Sequence, residues 1–293
     1  MPELPEVEVL VRHLRPLLQG KTILGVTTLR PRVLRPTSPQ NLSRTLRGAR
    51  FVGLSRRGKF LLFALERAGR PQTVKLAGHL GMSGRMYLLP AETPLPKHTA
   101  VVLDLGKEWF VFEDTRYFGR LTLDENPVAK LGPEPLSEDF TKELFFHALK
   151  RSGRAIKVKL LDQTLVAGLG NIYASEALFR ARISPKLPAR ALGIKRVHGL
   201  WRAIREVLTE AIECGSTVSL NHGGLEGRDR FFYFGRAAGG RASYEERLQV
   251  YGRCGEPCLV CGTRVERCVQ AARSTFYCPR CQSAKAGPTR KGF

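Results

Sequence analysis

Short apolar or alternating runs fill the first half of the chain after an opening helical segment. Val7, Leu10, Leu14, Leu17 and Leu18 recur at helical spacing behind Pro2 and Pro5. Proline suits a first helical turn, where its missing N–H would be unpaired anyway. Residues 59–66, 73–77, 99–105, 109–113 and 119–123 then read as strands separated by Gly, Pro and charged turns, the pattern of a β-sandwich. Leu131-Gly-Pro-Glu-Pro-Leu-Ser137 has the composition of a linker, and a domain boundary is expected near residue 134. Ser137 is the candidate N-cap of a helix with Phe140, Leu144, Phe145, Ala148 and Leu149 on one face. Further helices are predicted over 156–163, 172–181 and 196–213. The last carries Val197, Leu200, Ile204, Val207, Leu208, Ala211 and Ile212 along one side. Between the first two of these lies Ala167-Gly-Leu-Gly-Asn-Ile172, a short glycine-bearing turn of the kind that joins helix-turn-helix units. Residues 221–243, rich in glycine and arginine, break the periodicity and read as a surface loop.

Composition changes this picture in two ways. The 293 residues carry a formal charge of +22, from 48 Lys and Arg against 26 Asp and Glu, which is more than solubility requires and points to a polyanion, nucleic acid first. No run of eighteen apolar residues appears, and the N-terminus lacks the basic and apolar regions of a signal peptide. A cytoplasmic location is expected, nucleoid-associated in a bacterium, with no membrane partner.

Six of the seven cysteines fall in the last forty residues. Cysteines of a cytosolic chain favour metal over disulfides. Cys258-Leu-Val-Cys261 and Cys278-Pro-Arg-Cys281, sixteen residues apart, have the spacing of a tetrahedral structural zinc site spanned by a β-hairpin. Four protein thiolates would leave no open position, so the single zinc ion is read as a fold element. Cys254, four residues upstream, is a rival ligand, and Cys268 lies outside the spacing. From Gly262 onward seven basic residues stand against one acidic, a charge suited to a phosphate backbone.

The first six residues, MPELPE, carry candidate chemistry. Removal of Met1 would leave a free proline amine beside Glu3. An α-amino group has a reference pKa of about 8 against about 10.4 for lysine, so roughly a tenth of it is unprotonated at neutral pH. Because the proline nitrogen is a secondary amine, its addition to a sugar aldehyde gives a cationic iminium that acidifies the neighbouring C–H bond. Glu3 is positioned in sequence to move the protons. The same residues also read simply as a helix start, with Glu at the positive end of the dipole.

Together these motifs resemble the formamidopyrimidine-DNA glycosylases, the Fpg/Nei family of bacterial base-excision repair enzymes. The resemblance runs nearly end to end: MPELPEVE, Lys59 in RRGKF, HLGMSG at 79–84, DTRYFG at 114–119, LLDQTLVAGLGNIYASEALF at 160–179, LQVYGR at 248–253 and the terminal CxxC pair. It implies an α+β multidomain fold. A catalytic N-terminal helix plus β-sandwich (1–134) would precede a helix-two-turn-helix domain (135–247) and a β-hairpin zinc finger (248–293), with DNA in the cleft between the two main domains. It further implies a monomeric bifunctional glycosylase and lyase acting on double-stranded DNA with an oxidised base or abasic site. By similarity Pro2 is the nucleophile at the sugar C1′, Glu3 the acid and base, Glu6 a support for both, and Lys59 a catalytic or phosphate-gripping lysine.

The resemblance also makes Met82, Arg116 and Phe118 the residues that fill the void left by a nucleotide turned out of the stack. Lys157, Asn171 and Arg273 become phosphate contacts. Read without it, Lys59 is a solvated strand lysine, Met82 and Phe118 are core residues, and Asn171 is a helix cap.

Two departures stand out. Ser219-Leu-Asn-His222 and the loop that follows match the family poorly, and Tyr117 replaces a second basic residue that many relatives carry. Leu4 and the complete Met82, Arg116 and Phe118 set favour oxidised purines, 8-oxoguanine and formamidopyrimidines, as substrates. An endonuclease VIII-like preference for oxidised pyrimidines and a non-catalytic zinc protein that binds damaged DNA are the alternatives.

Overall fold

The computed structural model describes residues 2–67, 69, 72–215 and 247–283; Met1, the Ser219–His222 segment and the loop expected over 221–243 lie outside them. The chain divides into two compact units, one reaching Lys130 and the other starting at Leu131.

In the first unit α1 (Leu4–Leu18) buries Val7, Leu10, Val11, Leu14 and Leu18. Each contributes about 1.5–3 kcal/mol by leaving water. The helix is followed by β1 (Gly25–Thr28), α2 (Pro39–Leu46), β2 (Ala49–Arg57), β3 (Phe60–Arg67), β4 (Val74–His79), β5 (Gly84–Pro90), β6 (Thr99–Asp104), β7 (Glu108–Asp114), β8 (Arg120–Thr122) and a short α3 (Asn126–Ala129). The strands form two antiparallel four-stranded sheets, ordered β2-β3-β4-β8 and β1-β6-β7-β5. Leu61, Phe63 and Leu65 alternate inward along β3. Phe63 meets Phe51 and Phe110 edge-on, with ring centroids 6.0 and 5.6 Å apart. This is the predicted helix-plus-sandwich. The pattern missed β1, β2 and β5, whose charged or uniformly apolar runs lack clean alternation.

The order of strands has one consequence for function. The chain passes between the sheets from β4 to β5 and again from β7 to β8. Since β4 neighbours β8 and β5 neighbours β7, the two crossovers lie side by side at one edge.

The second unit contains α4 (Lys142–Lys150), α5 (Ile156–Leu160), α6 (Asn171–Arg180), α7 (Ile194–Glu213) and the hairpin β9 (Glu266–Gln270) with β10 (Arg273–Tyr277). The N-cap of α4 is Thr141, whose hydroxyl accepts the Leu144 N–H at 3.2 Å. Ser137 instead donates to the Glu134 carbonyl in a preceding turn. The helix predicted over 156–163 stops at Leu160, because Asp162 draws the Thr164 N–H and hydroxyl into a local turn. Leu131–Pro133, linker-like in composition, is packed structure: Gly132 N–H donates to the Gln163 carbonyl and Ala167 N–H to the Pro133 carbonyl. A Cβ on Gly132 would lie 2.4 Å from the Thr164 oxygen. Among the described residues no helix is long and apolar enough to cross a membrane.

Candidate functional site

Pro2 and Glu3 stand at the start of α1, where Glu3 is the N-cap and Glu6 the third helical residue. The Glu3 N–H donates to Glu6 Oε2 at 2.8 Å within a capping box. Both carboxylates are buried, with 1% and 3% of their surface exposed. The helix-start reading is therefore met by the geometry: the cap fixes the backbone that carries Pro2. Farther along α1, Glu8 pairs with Arg12 at 2.8 Å and with Arg56 at 2.9 Å. Burial works to raise the Glu8 carboxyl, but the two hydrogen-bonded guanidiniums outweigh it and hold it below the usual carboxylate range. Arg56 also donates to the Gly58 carbonyl at 3.0 Å. The start of α1 and the β2–β3 turn are thus tied to the same end of the sandwich.

That turn carries Lys59, which is 8% exposed and not the solvated strand lysine its sequence neighbourhood suggests. The next residue, Phe60, pairs with His79 in the β3–β4 ladder, and their rings lie 4.7 Å apart. His79 Nδ1 accepts the Gly81 N–H at 3.0 Å. Burial, then the charges of Lys59 and Arg120, push the imidazole down to about 4. A depressed folded-state value means that folding favours the neutral ring. The stability this contributes is complete above about pH 6.5 and is lost as pH falls towards 4. Thermal unfolding followed between pH 7 and pH 4.5 is expected to show the first unit losing stability over that window, with a flatter profile for His79→Gln.

Met82 and Phe118, core candidates on pattern alone, are 48% and 52% exposed. Met82 lies on the β4–β5 crossover and Arg116 and Phe118 on the β7–β8 crossover, so the fold collects the three side chains at one place. Arg116 Nη1 lies 3.7 Å from the Met82 sulfur. Tyr117 between Arg116 and Phe118 adopts a left-handed φ of +54°. Its hydroxyl accepts Arg30 Nε at 3.2 Å and its ring lies 5.8 Å beneath that guanidinium. A cation thus stands beside position 117 even though the residue itself is neutral.

In the second unit α5, the turn after it and α6 form the helix-two-turn-helix. Gln163 laces the turn, accepting the Gly168 N–H and donating to the Leu161 and Leu169 carbonyls. Asn171 is the first residue of α6 and not its cap. Its Nδ2 donates to the Ser274 carbonyl at 2.8 Å, while its Oδ1 is buried with no hydrogen-bond partner among the described residues. Arg273 is exposed and follows the two-residue turn Ala271-Ala272, whose φ values of +48° and +58° are those of a tight hairpin turn. The Asn171–Ser274 bond therefore sets Arg273 beside the start of α6. Lys157 departs from expectation. It is fully buried, with its ammonium donating to the Asn171 carbonyl at 2.8 Å and to the Ser175 hydroxyl. A side chain so enclosed supports the first turn of α6 from behind and does not present itself to a phosphate.

The sulfurs of Cys258, Cys261, Cys278 and Cys281 all lie within 4.8 Å of one another, with separations of 3.9 Å for Cys258–Cys281 and 3.5 Å for Cys261–Cys278. Tetrahedral zinc with Zn–S bonds near 2.3 Å places thiolates about 3.8 Å apart, so the four residues fit one structural ion. Cys254 is exposed and outside the cluster. Sequence reasoning missed Glu176, buried on α6 and accepting the N–H groups of Gln249, Val250 and Tyr251 at 2.9, 3.0 and 2.8 Å. A lone acid in the apolar run ASEALF was the available signal. It fastens the segment leading into the metal site to the helix.

Comparison with known proteins agrees with this organisation. Residues 1–121 match the family model of the formamidopyrimidine-DNA glycosylase N-terminal domain, residues 131–222 that of the formamidopyrimidine-DNA glycosylase H2TH domain, and residues 255–284 a zinc finger found in FPG and IleRS. The formamidopyrimidine-DNA glycosylase of Thermus thermophilus is 45% identical over 289 residues, which cover 96% of this chain and 98% of the relative. That of Carboxydothermus hydrogenoformans is 39% identical over 282 residues, covering 96% and 100%. A solved complex between a Lactococcus lactis FPG mutant and a Fapy-dG containing DNA aligns with TM-score 0.84 at 34% identity, over 96% of this chain and 100% of that one. The complex between Lactococcus lactis Fpg and an abasic site containing DNA gives TM-score 0.84 and 34% identity over 96% and 99%.

Proposed function

The chain belongs to the formamidopyrimidine-DNA glycosylase family and is a DNA glycosylase for damaged bases, and from that premise we propose that it removes oxidised purines through its N-terminal proline and then cuts the strand at the abasic sugar. The observation that carries the proposal is the buried Pro2-Glu3 pair, held by the Glu3–Glu6 hydrogen bond at the head of α1. Once Met1 is removed, the Pro2 nitrogen attacks C1′ of the damaged nucleotide as the glycosidic bond breaks, and the base leaves with that electron pair and a proton. Glu3 protonates the ring oxygen, the sugar opens, and the nitrogen–C1′ bond becomes an iminium. Loss of a C2′ proton then expels the 3′ phosphate, and a second elimination expels the 5′ phosphate.

Around this centre Met82, Arg116 and Phe118 fill the gap in the duplex, with Arg116 hydrogen-bonding the orphaned base. Lys59, Asn171 and Arg273 hold backbone phosphates. Lys157 supports the Asn171 turn. The partner is double-stranded DNA bearing the lesion, as the Lactococcus complexes support, and the enzyme acts as a monomer in the cytoplasm, associated with the nucleoid.

Incubating the purified protein with a duplex carrying 8-oxoguanine opposite cytosine and adding borohydride is expected to trap a covalent adduct at Pro2, identified by mass spectrometry. A cross-link on a thymine glycol duplex alone would move the substrate to oxidised pyrimidines. Binding with no cross-link on either duplex or on an abasic site, with Met1 absent, would overturn the catalytic reading.

A further inference from the structure

We propose that Asp114 is a positioning residue that locks Met82, Arg116 and Phe118 into one rigid wedge, by clamping together the two crossover loops that carry them. The inference rests on the void-filling reading of those three residues and adds to it what holds them in place.

Asp114 ends β7 and is fully buried. Its Oδ1 accepts the Ser83 hydroxyl at 2.6 Å and the Arg116 N–H at 3.1 Å, and its Oδ2 accepts the Gly119 N–H at 2.7 Å. One bond therefore reaches the residue after Met82, and the other two grip the loop on both sides of Phe118.

The backbones of the two loops also touch. A Cβ on Gly81, whose φ is +60°, would lie 2.6 Å from the Gly119 nitrogen, and one on Gly119 would lie 2.6 Å from the Phe112 ring. Loops packed this closely cannot move independently. Met82 and Phe118 each leave about half of their surface exposed, so their relative placement depends heavily on the backbone beneath, and that backbone is fastened by Asp114. A wedge inserted between base steps works only if its parts arrive together, and misplacement by about 1 Å can cost about 10²-fold in rate.

Asp114→Asn tests this. The amide retains the shape but replaces one acceptor with a donor, which would face either the Gly119 N–H or the Ser83 and Arg116 donors. Strand cleavage is measured on an 8-oxoguanine duplex and on a preformed abasic site in a single-stranded oligonucleotide, which has no stacked partner and no void to fill. The expected result is a duplex rate lowered about 10²-fold with the single-strand rate kept. Ser83→Ala, which removes one of the three bonds, is expected to move the ratio in the same direction by less, and serves if Asp114→Asn does not fold. Parallel losses on both substrates in a folded variant, or no loss on either, would overturn the assignment. The double variant Met82→Ala with Phe118→Ala is run beside it. If that variant shifts the ratio and the Asp114 and Ser83 variants do not, Asp114 is not the clamp. If the double variant leaves the ratio unchanged, the void-filling reading fails and the proposal fails with it.

Discussion

Glu3→Gln is expected to lower the rate of 8-oxoguanine excision about 10²–10⁴-fold, the range for loss of a general acid–base group, while leaving duplex affinity close to that of the unaltered protein. The substitution separates the capping role of Glu3 from the proton transfer proposed for it. As N-cap, Glu3 needs only an oxygen that accepts from the first turn of α1, and its main-chain N–H remains on Glu6 Oε2. Glutamine supplies that oxygen, so α1 and the burial of Val7, Leu10 and Leu14 should survive. What glutamine lacks is a proton to give and take. Glu3→Ala would lose the cap as well, at about 0.5–2 kcal/mol, and would confuse stability with chemistry. Single-turnover excision, equilibrium binding to the same duplex and a melting curve together make the test. Activity within about threefold of the parent, a difference of less than about 1 kcal/mol in barrier height, would remove Glu3 from the proton-transfer role.

Loss of the metal site should have the second largest effect, and a different character. Cys258→Ser, or treatment with a chelator, is expected to unfold the segment from Leu248 to Ser283 and weaken duplex binding while the helices of the second unit persist. The hairpin β9–β10 has only Thr275 and Tyr277 buried along its strands, and an isolated two-stranded hairpin is marginal in water. Its core is Cys258, Cys278, Val250 and Val265 packed on Phe179, so the thiolates are both metal ligands and packing. Structural zinc contributes about 10–16 kcal/mol to the folding of small fingers, far more than that core can supply. With the finger gone, Arg273 and the Asn171–Ser274 bond go with it. The slope of log affinity against log salt should then fall by about 1 for each phosphate that the protein no longer grips. Binding measured across a salt series, beside zinc content, decides the matter. Unchanged affinity and slope in the metal-free protein would mean that the finger does not hold DNA.

Much of this protein was legible before any tertiary contact was known, wherever the determining interactions are local. The start of α1 follows from prolines and acids within six residues. The pairing of Cys258 with Cys261, and of Cys278 with Cys281, follows from the short turn that lets two thiolates reach one ion. The catalytic candidates Pro2 and Glu3 rest on the chemistry of a terminal amine, which needs no fold to be recognised.

What the sequence left open concerns burial and partners distant along the chain. Met82 and Phe118 look like core residues because apolarity alone cannot say which side of a loop faces solvent. Lys59 looks solvated, and the burial of Lys157 is not legible, because a charge is buried only when distant groups receive it, as the Asn171 carbonyl and Ser175 hydroxyl receive Lys157. Glu176 and Asp114 carry no motif of their own; the N–H groups that each gathers come from segments brought together by helix docking in one case and by paired sheet crossovers in the other. The start of α1 and the metal-ligand set were therefore determined by residues close in the chain. The arrangement of Met82, Arg116, Phe118, Asp114 and Asn171 was decided only by the fold, because buried charges and hydrogen bonds between distant segments acquire their partners when the chain packs.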